Sequence, residues 1–324
     1  KQIKQLPALG GEVDVLKVFQ LMPGVQGGNE GTSGLYVRGG TPDQNLILLD
    51  DIPLYYVNHI GGFVSVFDIN AINDIKLIKG GFPARYGGRL SSVVDIRMKS
   101  GNSSDIKGEF GLGLMASRIF IEGPAFKKNK TKFMFSLRRC NFDLATRLIT
   151  RMQSGLVFSA GYTFYDLYSK ITHEIDADNS YSVSFYNGRD NIFIKQRDQV
   201  ASGSATFFDY QANIKWGNTL ASIKWNHPYN KNVFGTLTIA YTHFNYLNQV
   251  QYEEKSKSDK VVIEEASTSF ISGVNDLILK KDLDYFISNN FSLKMGAGFT
   301  NHQFNPGMNK YNSTSIDSSA GSQR

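Results

Sequence analysis

Phe291-Ser292-Leu293-Lys294-Met295-Gly296-Ala297-Gly298-Phe299 sets an apolar residue at every second position. Phe291, Leu293, Met295, Ala297 and Phe299 share one face; Ser292, Lys294, Gly296 and Gly298 share the other. A period of two marks a strand, because successive side chains leave a pleated backbone on opposite sides. Val233–Phe244 repeats the pattern, setting Val233, Leu237, Ile239 and Tyr241 against Thr236, Thr238, Ala240 and Thr242, and so does Tyr181–Tyr186. Such strands fit between hydrocarbon and a wet lumen. They also fit a soluble sandwich with one face in water, and alternation alone favours the sandwich.

The connections shift the balance toward a barrel. Short joins at Pro124–Lys130, Asp176–Asn179, Asn226–Lys231 and Asp282–Asn289 alternate with long ones at Asn141–Tyr162, Gly188–Phe208 and Gln251–Lys260. Outer-membrane barrels keep short turns on one rim and long loops on the other. The apolar frame of Phe110, Leu112 and Leu114 fails at Ala116 and Arg118 and restarts with Ile119 and Ile121, which implies a tight hairpin near Met115–Ser117. Nine strands result, spanning about 108–115, 117–123, 131–140, 163–176, 180–190, 209–226, 232–250, 261–281 and 290–305. The Asn- and Ser-rich stretch after Pro306 reads as a further external loop. Lipid cannot satisfy the open edge that nine strands leave, so the expectation is part of a larger membrane β-barrel.

Composition sets the outer bounds. The 324 residues are 41% apolar, 13% aromatic and 20% charged, which excludes a disordered chain. No apolar run approaches the roughly 20 residues of a membrane helix. The net charge of +6 lies wholly beyond residue 105, since residues 1–105 hold ten Lys/Arg and ten Asp/Glu. The cations are scattered, so no nucleic-acid patch forms. Cys140 is the single cysteine, and the five histidines lack paired metal-ligand spacing. Gly39-Gly40 and Gly80-Gly81 lie outside phosphate-loop and dinucleotide patterns. No acid–base constellation is visible, and neither an enzyme, a metal nor a cofactor is expected.

Residues 1–105 obey a different grammar. They hold 16 of the 31 glycines, many as pairs that mark turns or close backbone approach. A helix is expected at Gly11–Leu21, ended by Met22-Pro23-Gly24, and strands at Leu35–Arg38, Leu46–Leu49, Ile75–Lys79 and Val93–Met98. A one-turn helix is expected around Ile69–Asp74. Together these make a small α/β unit.

Its motifs run in a fixed order: Pro23-Gly24-Val25, Val37-Arg38-Gly39-Gly40, Leu49-Asp50-Asp51-Ile52-Pro53, Lys79-Gly80-Gly81, Ala84-Arg85-Tyr86-Gly87-Gly88, then Val93-Val94-Asp95-Ile96. Across nearly all of residues 9–100 this resembles the plug domain of TonB-dependent outer-membrane transporters, especially the Bacteroidota type. The resemblance implies a plug (1–105) inside a barrel of about 22 strands, of which 106–324 form the first part. It implies active uptake, or a receptor, for a scarce or large nutrient: a siderophore, cobalamin, a glycan or a peptide. It also implies the outer membrane of a Gram-negative bacterium and the partners TonB–ExbB–ExbD, lipid, lipopolysaccharide and a surface lipoprotein lid. Alternatives are a non-transporting barrel component of a larger assembly and a soluble β-rich binding module. Two departures stand out. Asp50-Asp51 replaces the family's Asp-Gly, and no TonB box is visible before Gly10.

By the same resemblance, the loop after Pro53 points outward toward substrate. Tyr55, Tyr56, Asn58 and His59 are therefore the leading ligand contacts, with Arg38 a weaker one; the alternative is that the tyrosines pack under the small sheet. Arg38, Arg85 and Arg89 are candidates to bridge to wall carboxylates Glu109 and Glu122, or else to pair within the plug or meet water. Surface pairs of this kind contribute about 0–1 kcal/mol each. Tyr162, Phe164, Tyr165, Tyr168, Tyr241, Phe244 and Tyr246 suit an aromatic girdle at the membrane surface and equally the rim of a sandwich.

Overall fold

The computed structural model describes residues 14–28, 34–113, 115–126, 130–143, 146, 157–199, 205–256, 258 and 261–315. Helix α1 (Val15–Gln20) begins at Asp14, whose carboxylate accepts from Leu16 N at 2.7 Å and Lys17 N at 3.3 Å. That satisfies two of the donors a helix start leaves open. The earlier part of the expected helix, and the segment searched for a TonB box, fall outside the described residues.

Short strands follow: β1 (Val25–Gln26), β2 (Tyr36–Val37), β3 (Asn45–Leu49), β4 (Ile52–Pro53), β5 (Asn58–His59), β6 (Val64–Ser65), β7 (Ile72–Ile78) and β8 (Ser92–Met98). Four of them make a mixed sheet in the order β4-β3-β8-β7, with β3 and β8 parallel. Its core joins Val15, Leu16 and Phe19 of α1 to Leu49, Ile52, Val94 and Ile96. The expected turn of helix at Ile69–Asp74 is absent. Asp68 makes a tight turn by accepting from Asn70 N at 3.0 Å and Ala71 N at 3.1 Å, and β7 starts at Ile72. Short polar side chains favour such turns over helix.

The second sheet is large: β9 (Lys107–Leu112), β10 (Ala116–Pro124), β11 (Thr131–Cys140), β12 (Val157–Glu174), β13 (Ser180–Gln199), β14 (Thr206–Asn230), β15 (Val233–Ser256), β16 (Val262–Ser288) and β17 (Phe291–Ser315). Every strand pairs antiparallel with its neighbour in sequence. The hairpin between Leu112 and Ala116 sits where the frame break places it. The long strands overrun the sequence bounds. Gly188–Gln199, Gln251–Ser256 and Tyr311–Ser315 are paired strand rather than loop, as are Asn226–Asn230 and Asp282–Ser288. Backbone pairing continues beyond the segments in which apolar side chains alternate, so the sequence pattern marks only part of each strand. At about 3.3 Å per residue, the 27 residues of β16 extend roughly 90 Å, whereas a bilayer needs only about 9–11 residues of tilted strand.

The two faces of this wall differ. Ile223, Ile239, Leu277, Leu279, Val183 and Ile171 are exposed on the outer face. Tyr168, Tyr186, Leu220, Ala240 and Ile278 point inward and join the N-terminal unit's core in one cluster. The N-terminal unit is therefore seated on the inner face. Of the seven aromatics expected in a girdle, Tyr165 and Tyr241 face outward. Phe164 and Tyr168 are buried inside, and Tyr162, Phe244 and Tyr246 share their even-numbered inward parity, so that part of the expectation is corrected.

Candidate functional site

The seat is built from charges. His59, at the end of β5, is wholly buried. Its Nε2 lies 2.8 Å from Asp166 Oδ2, and its Nδ1 lies 2.9 Å from both carboxylate oxygens of Asp190. With a carboxylate at each ring nitrogen, the imidazole donates twice, which only the protonated ring can do. Burial alone pulls the His59 pKa down, but the fields and hydrogen bonds of Asp166 and Asp190 outweigh it and raise the value to about 9. The ring also stacks on Phe164, with centroids 4.0 Å apart. Arg138, buried on β11, donates to Asp166 at 2.7 and 3.1 Å and to the Ser65 carbonyl at 2.6 Å. Tyr186 donates to Asp166 at 2.9 Å, and Tyr162 donates to Asp190.

A second group surrounds Asp50-Asp51. Both residues sit in the left-handed region, with φ of 50° and 71°, a conformation that costs most side chains and suits the glycine of the usual Asp-Gly. The carboxylates compensate. Asp50 accepts from Met98 N at 3.0 Å, from Lys170 at 2.9 Å and from the Tyr168 hydroxyl. Asp51 accepts from Lys224 at 2.5 Å and Arg85 at 3.2 Å, with Arg97 at 4.0 Å. Burial raises the Asp51 pKa, yet Lys224, Arg97 and Arg85 together lower it to about 2. Smaller contacts complete the seat: Ser136 donates to Asp68 at 2.6 Å and Asn70 to Glu109 at 2.8 Å, and Lys99 lies 3.7 Å from Glu122.

The segment after Pro53 divides its tasks. Tyr55 is pinned to the wall: its N–H donates to Asn218 at 3.2 Å, its carbonyl accepts from Asn218 at 2.5 Å, and its hydroxyl donates to Asp276 at 2.5 Å. Burial and then Asp276 push that hydroxyl's pKa up. Tyr56, held at φ 44°, leaves 51% of its surface open and sets its ring edge-on to Trp216 at 5.9 Å. Tyr162 lies 6.4 Å from Trp216, and Phe244 lies 6.5 Å from Tyr55. The result is an aromatic apex with one open ring. Asn58 pairs with Ser65 across β5 and β6, half-buried, and its Oδ1 lacks a hydrogen-bond partner.

The structure thus brings Tyr55, Tyr56 and His59 to the wall, but His59 lies between carboxylates rather than on the open apex. Arg38 is exposed beside Gly80, where a Cβ would come within 3.0 Å of its guanidinium. Arg89 donates to its neighbour Gly88's carbonyl at 2.8 Å and makes no described wall contact. Arg85 bridges to the wall, but through Asp282 at 3.8 Å. Glu109 accepts from Asn70 and Glu122 faces Lys99. Not expected from sequence as plug–wall contacts were Arg138, Asp166, Lys170, Asp190, Lys224 and Asp276, while Asp50-Asp51 stood out only as a departure from Asp-Gly. One signal could have found most of them: charges recurring on the small, polar parity of strands whose other parity is apolar.

The family model of the TonB-dependent Receptor Plug Domain matches residues 3–94. Similar solved structures include the siderophore receptor PirA from Acinetobacter baumannii, 12% identical over 92% of this chain and 59% of that one, with a TM-score of 0.44. The ferric enterobactin receptor PfeA from Pseudomonas aeruginosa, a double mutant, matches at 12% identity over 94% and 57%, TM-score 0.42. FpvA from P. aeruginosa, bound to a heterologous pyoverdine, matches at 12% over 92% and 51%, TM-score 0.46. The chain thus spans less than two thirds of the length of each.

Proposed function

From a chain that carries the plug domain of TonB-dependent receptors seated against part of a β-barrel, we propose a receptor for energised nutrient uptake across the outer membrane of a Gram-negative bacterium, and not an enzyme. The supporting observation is the seat itself. Around a shared apolar cluster, the plug meets the inner face through ion pairs and hydrogen bonds, while the outer face of the same strands is apolar. A polar seat fixes position without demanding much energy to leave it, because its charges regain water when the plug shifts. An apolar seat of equal area would instead re-expose hydrocarbon-like surface at about 25 cal/mol per Å².

In this reading substrate lands from outside on the apex around Tyr56, Trp216 and Tyr162, with Asn58 behind it and Arg38 a more distant contact. Tyr55, Asn218 and Asp276 tie the apex to the wall, so ligand contact and plug position are mechanically joined. Force supplied by TonB–ExbB–ExbD on the plug's N-terminal side then opens the seat. Lipid and lipopolysaccharide surround the barrel, and a surface lipoprotein lid is a fitting partner.

The test is made on the complete protein. It is expected in the outer-membrane fraction, extracted only by detergent and migrating faster on a gel when unheated, with uptake abolished by removing the TonB-engaging segment. Recovery as a soluble protein would contradict the reading. Uptake that persists without that segment would contradict energised transport.

A further inference from the structure

Above the apex, the inner wall carries a second aromatic group. The register of β14 on β15 runs without a shift from Thr206↔Ser256 to Pro228↔Phe234. Phe208 and Tyr210 therefore share the inward parity of Trp216 and Asn218, and Tyr210 lies about 20 Å up the strand from Trp216. Tyr210 stands directly opposite Tyr252 on one side and Gln196 on the other. Phe208 stacks on Tyr252 with centroids 5.2 Å apart. These four residues line an open recess of about 410 Å³, within the range of small-ligand sites.

Charge narrows what could occupy it. Among the described residues of β13, β14 and β15 above Trp216, no Lys or Arg takes an inward position. The cations of this region sit on the opposite parity, facing out: Arg197 pairs with Asp209 at 2.6 Å, and Lys255 lies 3.3 Å from the same carboxylate. Glu254 faces inward beside the recess. A polyanionic metal chelate would meet no counter-charge from these strands, and it would face the carboxylates of Glu254 and Glu264, which pair across β15 and β16. An uncharged ring is a better fit. Its C–H face can lie on Tyr and Phe, while its hydroxyls meet the Gln196 amide and the tyrosine hydroxyls at the edges.

We propose that Gln196, Phe208, Tyr210 and Tyr252 form a stacking subsite for a sugar ring of an uncharged oligosaccharide, on the path to Tyr56 and Trp216. This rests on the receptor reading above and names its substrate class. The experiment titrates the complete, detergent-solubilised receptor with cellohexaose, maltohexaose and, as the anionic probe, ferric citrate. At least one hexaose binds and ferric citrate does not. Tyr210→Ala and Tyr252→Ala each weaken sugar binding about tenfold, as the loss of one aromatic contact implies, whereas Tyr252→Phe retains it. The proposal is overturned if neither hexaose binds, if the alanine variants bind as wild type, or if ferric citrate binds and loses affinity in Tyr210→Ala. Heat-modifiable migration, measured on the same samples, separates the two readings: its presence without sugar binding refutes this subsite alone, and its absence in wild type refutes the receptor.

Discussion

Neighbouring residues of β15 lie in different media. Ile239, 45% exposed, and Tyr241 look outward, while Thr238, Ala240 and Thr242 are sealed against the plug. The backbone is the same and the hydrogen-bonded ladder continuous, so the difference is carried by side-chain chemistry alone. Outside, the belt accepts rings and aliphatic chains. Inside, the wall accepts charges, provided each meets a partner from the plug. The contrast shows that one strand can serve two solvents when its parity is kept strict, and that the inner face gains its specificity from polar pairing.

Breaking the deepest pair tests that contrast most severely. His59→Ala leaves Asp166 and Asp190 buried with Arg138 as their remaining cation. It should destabilise the docked plug by about 3–5 kcal/mol, read as the urea dependence of hydrogen exchange at the Tyr55–His59 amides. The same contact titrates. Because the folded pKa of His59 is raised from 6.5 to about 9, its contribution is complete below pH 6.5 and fades as pH rises through about 9. Protection of those amides, taken relative to their base-catalysed intrinsic exchange, should fall across that window, and protection that stays constant would mean that His59 is neutral in its seat.

The outer face is challenged next by Ile239→Lys, which places an ammonium in the apolar belt at an expected cost of about 2–4 kcal/mol. Unfolding in lipid vesicles would report it. Thr→Ser at the inward neighbour Thr238 should leave stability nearly unchanged. A smaller effect, about 1.5–2 kcal/mol, is expected for Lys224→Met, since Asp51 keeps Arg85 and Arg97 after losing its 2.5 Å partner. Smallest is Arg85→Ala. Its side chain is a third exposed and its bridge to Asp282 spans 3.8 Å, so about 0–1 kcal/mol is expected. A loss at Arg85 as large as that at His59 would show that burial does not rank these contacts.

Much of this architecture is legible in the chain. The alternation at Val233–Phe244 and Phe291–Phe299 exposes the wall's two faces, and the frame break after Leu114 exposes the first hairpin. The upper ends of the strands are hidden for a physical reason: at Gln251–Ser256 polar side chains recur on both faces, and backbone pairing leaves no alternation to read. The apex tyrosines stand out by type. His59 does not, because its partners lie 107 and 131 residues away and look ordinary in their own strands. Asp51 is visible only as a departure from Asp-Gly. Its meaning waits on Lys224, 173 residues downstream.

The central claim is that the outward parity faces lipid while the inward parity faces the plugged lumen. Nitroxide labels placed singly at Ile239, Leu279 and Lys280 of the complete protein in lipid vesicles measure this directly. Cys140 is buried and does not compete for the label. At Ile239 and Leu279, oxygen should relax the label far more than a water-soluble nickel chelate does, with the order reversed at Lys280. Equal access of the nickel chelate at all three positions, or labels at Ile239 and Leu279 shielded from both reagents, would contradict the account.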